Sequence, residues 1–231
     1  KRFEHTAMTK GAPVLSVRDL HFPALPPMTF DIRRGEIAFL RDENYNTGRR
    51  LHECFLGDRG WTSGFFRLNG RLYQPGDLGR VIGSEIGIQI ERPDRPGGVL
   101  FDNMTALDNL CTSLIPKAGQ HIIRKKIVSS ILSEALRWFP KEMLLQPLSS
   151  WSYPERLRFS YYRWYLLNPR LLICFFPFAG QESTHHKMII DLLVLCAQRG
   201  MAVWIISSGI DAICEKTDNE EFLRRLHYLN K

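Results

Sequence analysis

The sequence lacks paired cysteines, long apolar runs and a secretory signal. Its five cysteines are scattered without a CxxC pair, and most lie within apolar stretches. They are therefore predicted to be small buried side chains in a reducing compartment. No stretch approaches the ~20 apolar residues of a membrane span. His185 and His186 have no further His or Cys at metal-ligand spacing, so we expect exposed helix residues there rather than a metal site.

The composition is that of an ordinary globular chain. Of 231 residues, 44% are hydrophobic and 24% are charged, which is enough for one sizeable domain or two small ones. The net charge of +7 is compatible with an acidic partner or with an ordinary basic protein. The basic residues are dispersed and no RNA- or DNA-binding motif is present, so no nucleic-acid partner is expected.

The pattern of apolar residues predicts alternating strands and helices after a polar linker over residues 1–13. The strand segments are "VLSVRDLHF", "MTFDI", "IAFL", the hairpin "GFFRLNGRLY" with Asn69-Gly70 at its turn, "IGIQI", "LLICFF" and "AVWIISS". The helical segments are "LHECFLGD" after a polar loop "RDENYNTGRR", residues 121–139, the stretch after Ser152, and "HHKMIIDLLVLCAQRG". This alternation predicts an α/β fold with a mainly parallel sheet covered by helices.

Several of these segments, taken in order, resemble one known family. "PVLSVRDLHF", "FDIRRGEIAFL", "TSGFFRLNGR" and "LLNPRLLI" are similar to successive parts of an ATP-binding cassette, the nucleotide-binding domain of ABC transporters. "ERPDRPGGVLFDNMTALDNL" resembles the stretch after the Q-loop in sugar importers, and more narrowly the chain looks like the second cassette of their tandem ATPases. The resemblance implies a P-loop NTPase-like cassette over residues 14–231. It also implies an antiparallel β subdomain and a helical subdomain at roughly residues 100–168.

The stretch that matches the family's phosphate loop departs from its GxxxxGK(S/T) pattern. Alignment of "RDENYNTGRRL" without a gap puts Gly48 at the lysine, Arg49 next to it and Arg50 at the magnesium-binding hydroxyl. A shift of one residue puts Arg49 at the lysine instead. In both alignments the Ser/Thr is lost, and Tyr45 and Asn46 stand where glycines let the backbone fold around phosphate.

Three outcomes are open for the two arginines of this loop. Arg49 and Arg50 could still bind an anion, be solvated, or fill an empty phosphate cavity. The loss of the glycines favours the last two outcomes over anion binding. Asp42 stands near the position of the motif's first glycine.

The strand "LLICFF" matches the family's Walker B strand but ends without acidic residues. Phe175 and Phe176 occupy the positions of the aspartate that holds Mg²⁺ and the glutamate that orients the attacking water. A phenyl ring can do neither. We expect both rings to extend the hydrophobic core, each contributing about 2 kcal/mol.

The family's signature loop, LSGGQ, corresponds here to "WSYPE". Ser152 is kept, whereas Tyr153 and Pro154 replace the glycines. Ser152 and Glu155 predict a capping box at the start of a helix, with Pro154 in its first turn. The helix start should be well formed but a poorer anion site, because proline has no N–H.

The helix that follows carries an aromatic cluster, and core packing is favoured over an interface for it. Its members are Phe159, Tyr161, Tyr162, Trp164 and Tyr165. Gln89 lies near the family's Q-loop but is off by one residue, so no role follows for it.

The altered motifs predict a hydrolysis-deficient cassette of a sugar-type ABC importer ATPase, acting as the structural or regulatory half of a cassette pair. No catalytic residue and no magnesium site are expected. The nucleotide-binding residues that the resemblance supplies are Gly48, Arg49 and Arg50 in the phosphate loop and Ser152 in the signature, so the expected cofactor is none or weakly bound ATP. The expected partners are another cassette, in the same chain or a separate one, and a membrane permease. The location is then cytoplasmic, at the inner face of the membrane. The alternative is a cassette-shaped regulatory or interaction module outside transport.

Overall fold

The computed structural model describes residues 11–58, 60–91, 100–114, 125–179 and 183–229. Its strands are β1 (Leu15–His21), β2 (Met28–Ile32), β3 (Ile37–Arg41), β4 (Ser63–Leu68), β5 (Arg71–Tyr73), β6 (Ile86–Ile90), β7 (Leu171–Phe175), β8 (Ala202–Ser207) and β9 (Leu226–Tyr228). Its helices are α1 (Asn46–Leu56), α2 (Ala106–Leu114), α3 (Lys125–Ala135), α4 (Lys141–Leu144), α5 (Tyr153–Leu167), α6 (Ser183–Gln198), α7 (Ile210–Lys216) and α8 (Glu220–Arg225). None of these helices has both the length and the apolar character needed to cross a bilayer.

The first sheet is antiparallel, with strand order β2-β1-β4-β5. In β1, Leu15, Val17 and Leu20 are fully buried, so the predicted alternation holds as far as Val17 and then shifts by one residue where the pairing of β1 is irregular. Asn69 and Gly70, at φ 48° and 78°, connect β4 to β5. This is the left-handed conformation that a two-residue hairpin turn requires, so the predicted hairpin is confirmed.

The second sheet has the order β6-β7-β8-β3-β9, and all its pairings are parallel. Its inner strands β7 and β8 are buried on both faces. One face packs on α1 and the antiparallel sheet, and the other packs on α5 and α6. The predicted mainly parallel sheet is confirmed. The edge strand β9 and helices α7 and α8 were not predicted.

A helical layer lies between β6 and β7 in the chain and packs around the aromatic residues of α5. Phe159 and Tyr162 are fully buried with Phe139 and Trp151 in this layer. Tyr161 and Trp164 are buried against α6 and the sheet. The prediction that the aromatic cluster is core is confirmed, and Tyr165 is half-buried.

Three predicted segments differ from the structure or fall partly outside it. Of the predicted helix 121–139, α3 ends at Ala135, and residues 121–124 lie outside the described residues. The polar loop before the first helix is shorter than predicted, because α1 begins at Asn46. Residues 1–10 of the predicted linker are also outside the described part. The division at residue 14 and the extent of the helical subdomain remain predictions.

The adjacent histidines on α6 are half-buried, so the prediction that they are exposed was wrong. The His185 ring packs on Tyr153 at 5.6 Å, and the His186 ring packs on Phe178 at 5.4 Å between centroids. Aromatic neighbours that are distant in sequence cover them, which the local pattern does not show. Among the described residues no group of three or more His, Cys, Asp or Glu is placed to hold a metal ion.

Candidate functional site

The candidate site lies where the parallel strands β3, β7 and β8 end and α1 begins. Parallel α/β sheets place ligands beyond the carboxyl ends of their strands, beside the N-terminus of the helix that follows. Here β3 ends at Arg41, and five residues later the chain enters α1. Gly48, Arg49 and Arg50 lie in the first turns of this helix.

The turn into α1 uses a left-handed residue that is not glycine. Tyr45, the N-cap of α1, has φ 58° and ψ 13°. This conformation is uncommon for a residue with a Cβ. Tyr45 therefore takes a backbone conformation that glycine usually adopts, and 48% of the residue is exposed.

Asp42 binds the free N–H groups at the start of α1. Its Oδ2 accepts a hydrogen bond from the Gly48 N–H at 2.7 Å, and its Oδ1 accepts one from the Thr47 N–H at 3.3 Å. The carboxylate is buried, with 5% of the residue exposed. The first N–H groups of a helix have no partner within the helix and attract anions, so Asp42 satisfies them from within the chain.

The two arginines of the loop do not fill the interior of the site. Arg49 is exposed, and Arg50 pairs with Glu53 one turn along α1 at 3.2 Å. Of the three outcomes left open by the sequence, solvation describes Arg49. Neither arginine takes the position that Asp42 occupies.

Two phenylalanines end β7 in different environments. Phe175 is buried in the core, with its ring 5.7 Å from that of His52, as predicted. Phe176 has φ 53° and turns out of the strand. Its ring is partly buried, packs against the core and lies 4.7 Å from that of Tyr45, so it extends the core at its edge rather than inside it. The strand ends at Phe175, and the next side chain is directed over α1.

Gly48 lies in close contact with this second ring. A Cβ at Gly48 would be 2.6 Å from Phe176 Cζ and 3.2 Å from Asp42 Oδ2. The space beside the start of α1 is therefore already filled by side chains of the protein.

Ser152 begins α5, which is a separate helix start. The Glu155 carboxylate accepts hydrogen bonds from the Ser152 N–H at 2.8 Å and from its hydroxyl at 2.6 Å. The predicted capping box is confirmed. Helix α5 packs against α2, α6 and β6, so Ser152 is not part of the same cluster as Gly48.

A buried polar cluster joins β6 to α5, and its central residue is one to which the sequence gave no role. Gln89 accepts a hydrogen bond from Trp164 Nε1 at 2.7 Å, and it donates to Glu91 at 2.7 Å and to Ser160 at 3.1 Å. Gly87 leaves room for the indole, because a Cβ there would lie 2.8 Å from Trp164. The sequence signal for this cluster was a single glutamine among the isoleucines of a predicted strand.

Charged and phenolic groups beside this cluster are strongly desolvated. Burial lowers the pKa of Arg163 to about 10, and its guanidinium lies 4.7 Å from the centre of the Trp164 ring. Burial, and then the negative charge of Glu91, raise the pKa of Tyr161 well above its usual value.

Comparisons with known proteins agree on one fold. No family model matches the sequence. The chain is 26% identical over 212 residues to a putative ribose/galactose/methyl galactoside import ATP-binding protein of Pseudomonas syringae pv. tomato, covering 90% of this chain and 40% of that protein. It thus spans about two fifths of the length of this curated relative.

Solved structures match nearly the whole chain. CbiO1 from Clostridium perfringens, part of the ABC transporter complex cbiONQ, superposes with a TM-score of 0.72 at 20% identity, covering 94% of this chain and 85% of its own. The dimeric bacterial ABC transporter cassette MJ0796 gives a TM-score of 0.66 at 16% identity, covering 93% and 94%.

Proposed function

We propose that this chain, which has the fold of an ABC-type ATP-binding cassette, is the hydrolysis-deficient structural or regulatory half of a cassette pair in a sugar importer. The similarity to an import ATP-binding protein for ribose and galactosides supports the sugar class. That relative is more than twice as long as the matched region, which leaves room for a second cassette in such proteins.

The end of β7 is the observation that carries this proposal. Phosphoryl transfer needs a carboxylate to hold Mg²⁺ and a second polar group to orient the attacking water. Phe175 and Phe176 stand at the two matching positions, one in the core and one over Gly48. Asp42 does reach this region, but each of its carboxylate oxygens accepts a backbone N–H.

The start of α5 supports the same conclusion for the opposite site of a pair. In the family, the signature helix of one cassette faces the nucleotide held by the other. Here the Glu155 carboxylate accepts hydrogen bonds from the Ser152 N–H and hydroxyl, which places a negative charge at that helix start. The charge opposes the approach of a phosphate group, so this half would also weaken its partner's site.

The proposed partners are a second cassette and a membrane permease, and the proposed location is the cytoplasmic face of the membrane. The dimeric state of the similar cassette MJ0796 supports pairing. A nucleotide, if bound at all, binds weakly, through Gly48, Arg49, Arg50 and Ser152. We propose no magnesium site.

A hydrolysis assay tests the proposal. Phosphate release by the purified protein with Mg-ATP should equal the rate without protein, and Arg49→Ala should not change it. A hydrolytically competent cassette in the same assay is the positive control. A magnesium-dependent rate that Arg49→Ala abolishes would contradict the proposal.

A thermal melt in millimolar Mg-ATP gives a second measure of nucleotide binding. A ligand that binds only the folded state must raise the Tm, so we expect a negligible shift. A clear increase that depends on Arg49 would show that the loop still binds nucleotide.

The second candidate is a regulatory module outside transport. The structure supports it less than the sequence does. The aromatic helix that favoured it is core. What still favours it is that carboxylates occupy both helix starts, at Asp42 and Glu155. Purification from native membranes distinguishes the two, since a transport subunit should be recovered with a permease.

A further inference from the structure

We infer that Asp42 is a built-in anion that takes the place of a bound phosphate at the start of α1, so that the phosphate loop is ordered without nucleotide. This inference deepens the proposed function and rests on it, because it assigns to an internal side chain the position that a nucleotide takes in an active cassette. The cassette pair would then depend on its other half for any response to ATP.

The position of Asp42 is fixed by the strands on which it lies. Its backbone N–H donates to the Ser207 carbonyl of β8 at 3.0 Å, directly after the parallel pairing of Arg41 with Ser207. The side chain is therefore held at the edge where a phosphate would lie. It engages two successive N–H groups of α1, those of Thr47 and Gly48.

Two aromatic rings lie against each other at the residues that border this contact. Tyr45 and Phe176 both have left-handed backbones, at φ 58° and 53°, and their rings contact each other at 4.7 Å. Two strained residues in mutual contact indicate that the surrounding structure imposes the arrangement.

The space beside the Gly48 Cα does not admit a methyl group without movement of a neighbour. A Cβ on Gly48 would meet Phe176 at 2.6 Å, Asp42 at 3.2 Å and Ile206 at 3.3 Å. The Thr47 and Gly48 N–H groups already donate to the two carboxylate oxygens of Asp42, which carries the same sign of charge as a phosphate group. A phosphate therefore cannot bind these N–H groups unless the carboxylate moves.

A matched pair of variants tests the inference. Asp42→Asn keeps the shape of the side chain but removes its charge and one of its two acceptor oxygens. Glu43→Gln makes the same chemical change at the neighbouring carboxylate, which is exposed and pairs with Arg41. Amide exchange measured by NMR should be on the order of tenfold faster at Thr47 and Gly48 in Asp42→Asn, with a Tm lower by a few degrees. Glu43→Gln should leave both unchanged.

The wild-type protein supplies a measurement that does not depend on whether a variant folds. Its Thr47 and Gly48 amide resonances should not move when millimolar sodium pyrophosphate is added. Movement of these resonances, or equal exchange in Asp42→Asn and Glu43→Gln, would overturn the inference. If these measurements contradict the role of Asp42, the proposed lack of ATP hydrolysis can still hold. ATP hydrolysis by the wild type would instead refute the proposed function, whatever the role of Asp42.

Discussion

Among single residues, Gly48 shows most directly how the site has been filled. Within a helix, Gly→Ala normally stabilises by up to about 1 kcal/mol, and Gly48 is the third residue of α1. Here the added methyl would lie 2.6 Å from Phe176, and we expect Gly48→Ala to destabilise the protein by about 1–3 kcal/mol. Chemical denaturation measures the free energy of unfolding.

Two further variants separate the contact from the effect of helix propensity. Gly79→Ala adds a methyl where nothing lies within 4 Å, and should be close to neutral. In a Phe176→Ala background the Gly48→Ala change should become favourable, because the ring is gone. Destabilisation that persists in that background would show that the contact with Phe176 is not the cause.

The residues of the site differ in how far the sequence predicts them. Ser152 and Glu155 form a box with fixed spacing, so local chemistry predicted them correctly. Asp42 lies only five and six residues from its partners, but its contact requires Tyr45 to adopt a left-handed conformation. Without a glycine at that position, nothing local indicates the turn. The contact of Phe176 with Gly48 depends on the packing of β7 against α1 and has no sequence signal.

At the scale of elements, the joint between β6 and α5 depends on Gln89. Gln89→Leu keeps the approximate volume but leaves the Trp164 indole N–H without its acceptor and removes the hydrogen bond that Gln89 donates to Glu91. We expect a loss of about 2–3 kcal/mol in the free energy of unfolding and faster hydrogen exchange along α5.

The control for this variant is Gln74→Leu, an identical change at an exposed position. It should alter stability by about 0.5 kcal/mol or less. Equal effects of the two changes, or unchanged exchange in α5, would show that the buried cluster does not hold the helix to the sheet.

The elements with strong periodicity were predicted from sequence, and those held by pairing alone were not. Strands β3, β7 and β8 are continuous apolar runs, and the sheet that they form followed from them. Strand β9 is three residues long and half-exposed. Its backbone pairing with β3 and the contact between the Phe39 and Tyr228 rings keep it in the sheet. Neither is visible in a single short segment.

Over the whole molecule, the buried cysteines lie in three separate parts of the core, so their reactivity measures whether each part opens. Cys54 lies between α1 and the antiparallel sheet, Cys174 and Cys196 lie between the parallel sheet and α6, and Cys111 lies in the helical layer. Burial raises the pKa of Cys54 to about 11 and of Cys196 to about 12. Since the thiolate is the reactive form, these thiols should be inert at mildly alkaline pH.

Titration with a thiol reagent checks this expectation. In the native protein at most the half-buried Cys214 should react within minutes, and all five should react in guanidinium chloride. Rapid reaction of Cys111 alone in native buffer would mean that the helical layer opens independently of the sheet. A Cys214→Ser variant identifies the native signal.

The fold as a whole was predicted more fully than the chemistry. The P-loop NTPase-like cassette fold, with its parallel sheet, antiparallel sheet and helices, is confirmed by the structural similarities. The fold was predicted from the order of many segments, none of which identifies the fold by itself. The site depends instead on the contacts of a few side chains, such as Asp42 and Phe176, which the local sequence does not show.

The crowding around Gly48 has an evolutionary consequence. Phe176→Glu would restore the carboxylate that the resemblance places at this strand end, but it would direct a second negative charge toward Asp42, since both positions border the same Gly48 methyl site. Removing Asp42 first would leave the Thr47 and Gly48 N–H groups without their acceptor while the ring still borders Gly48. Each of these single substitutions therefore costs stability, so a carboxylate at this strand end requires paired changes.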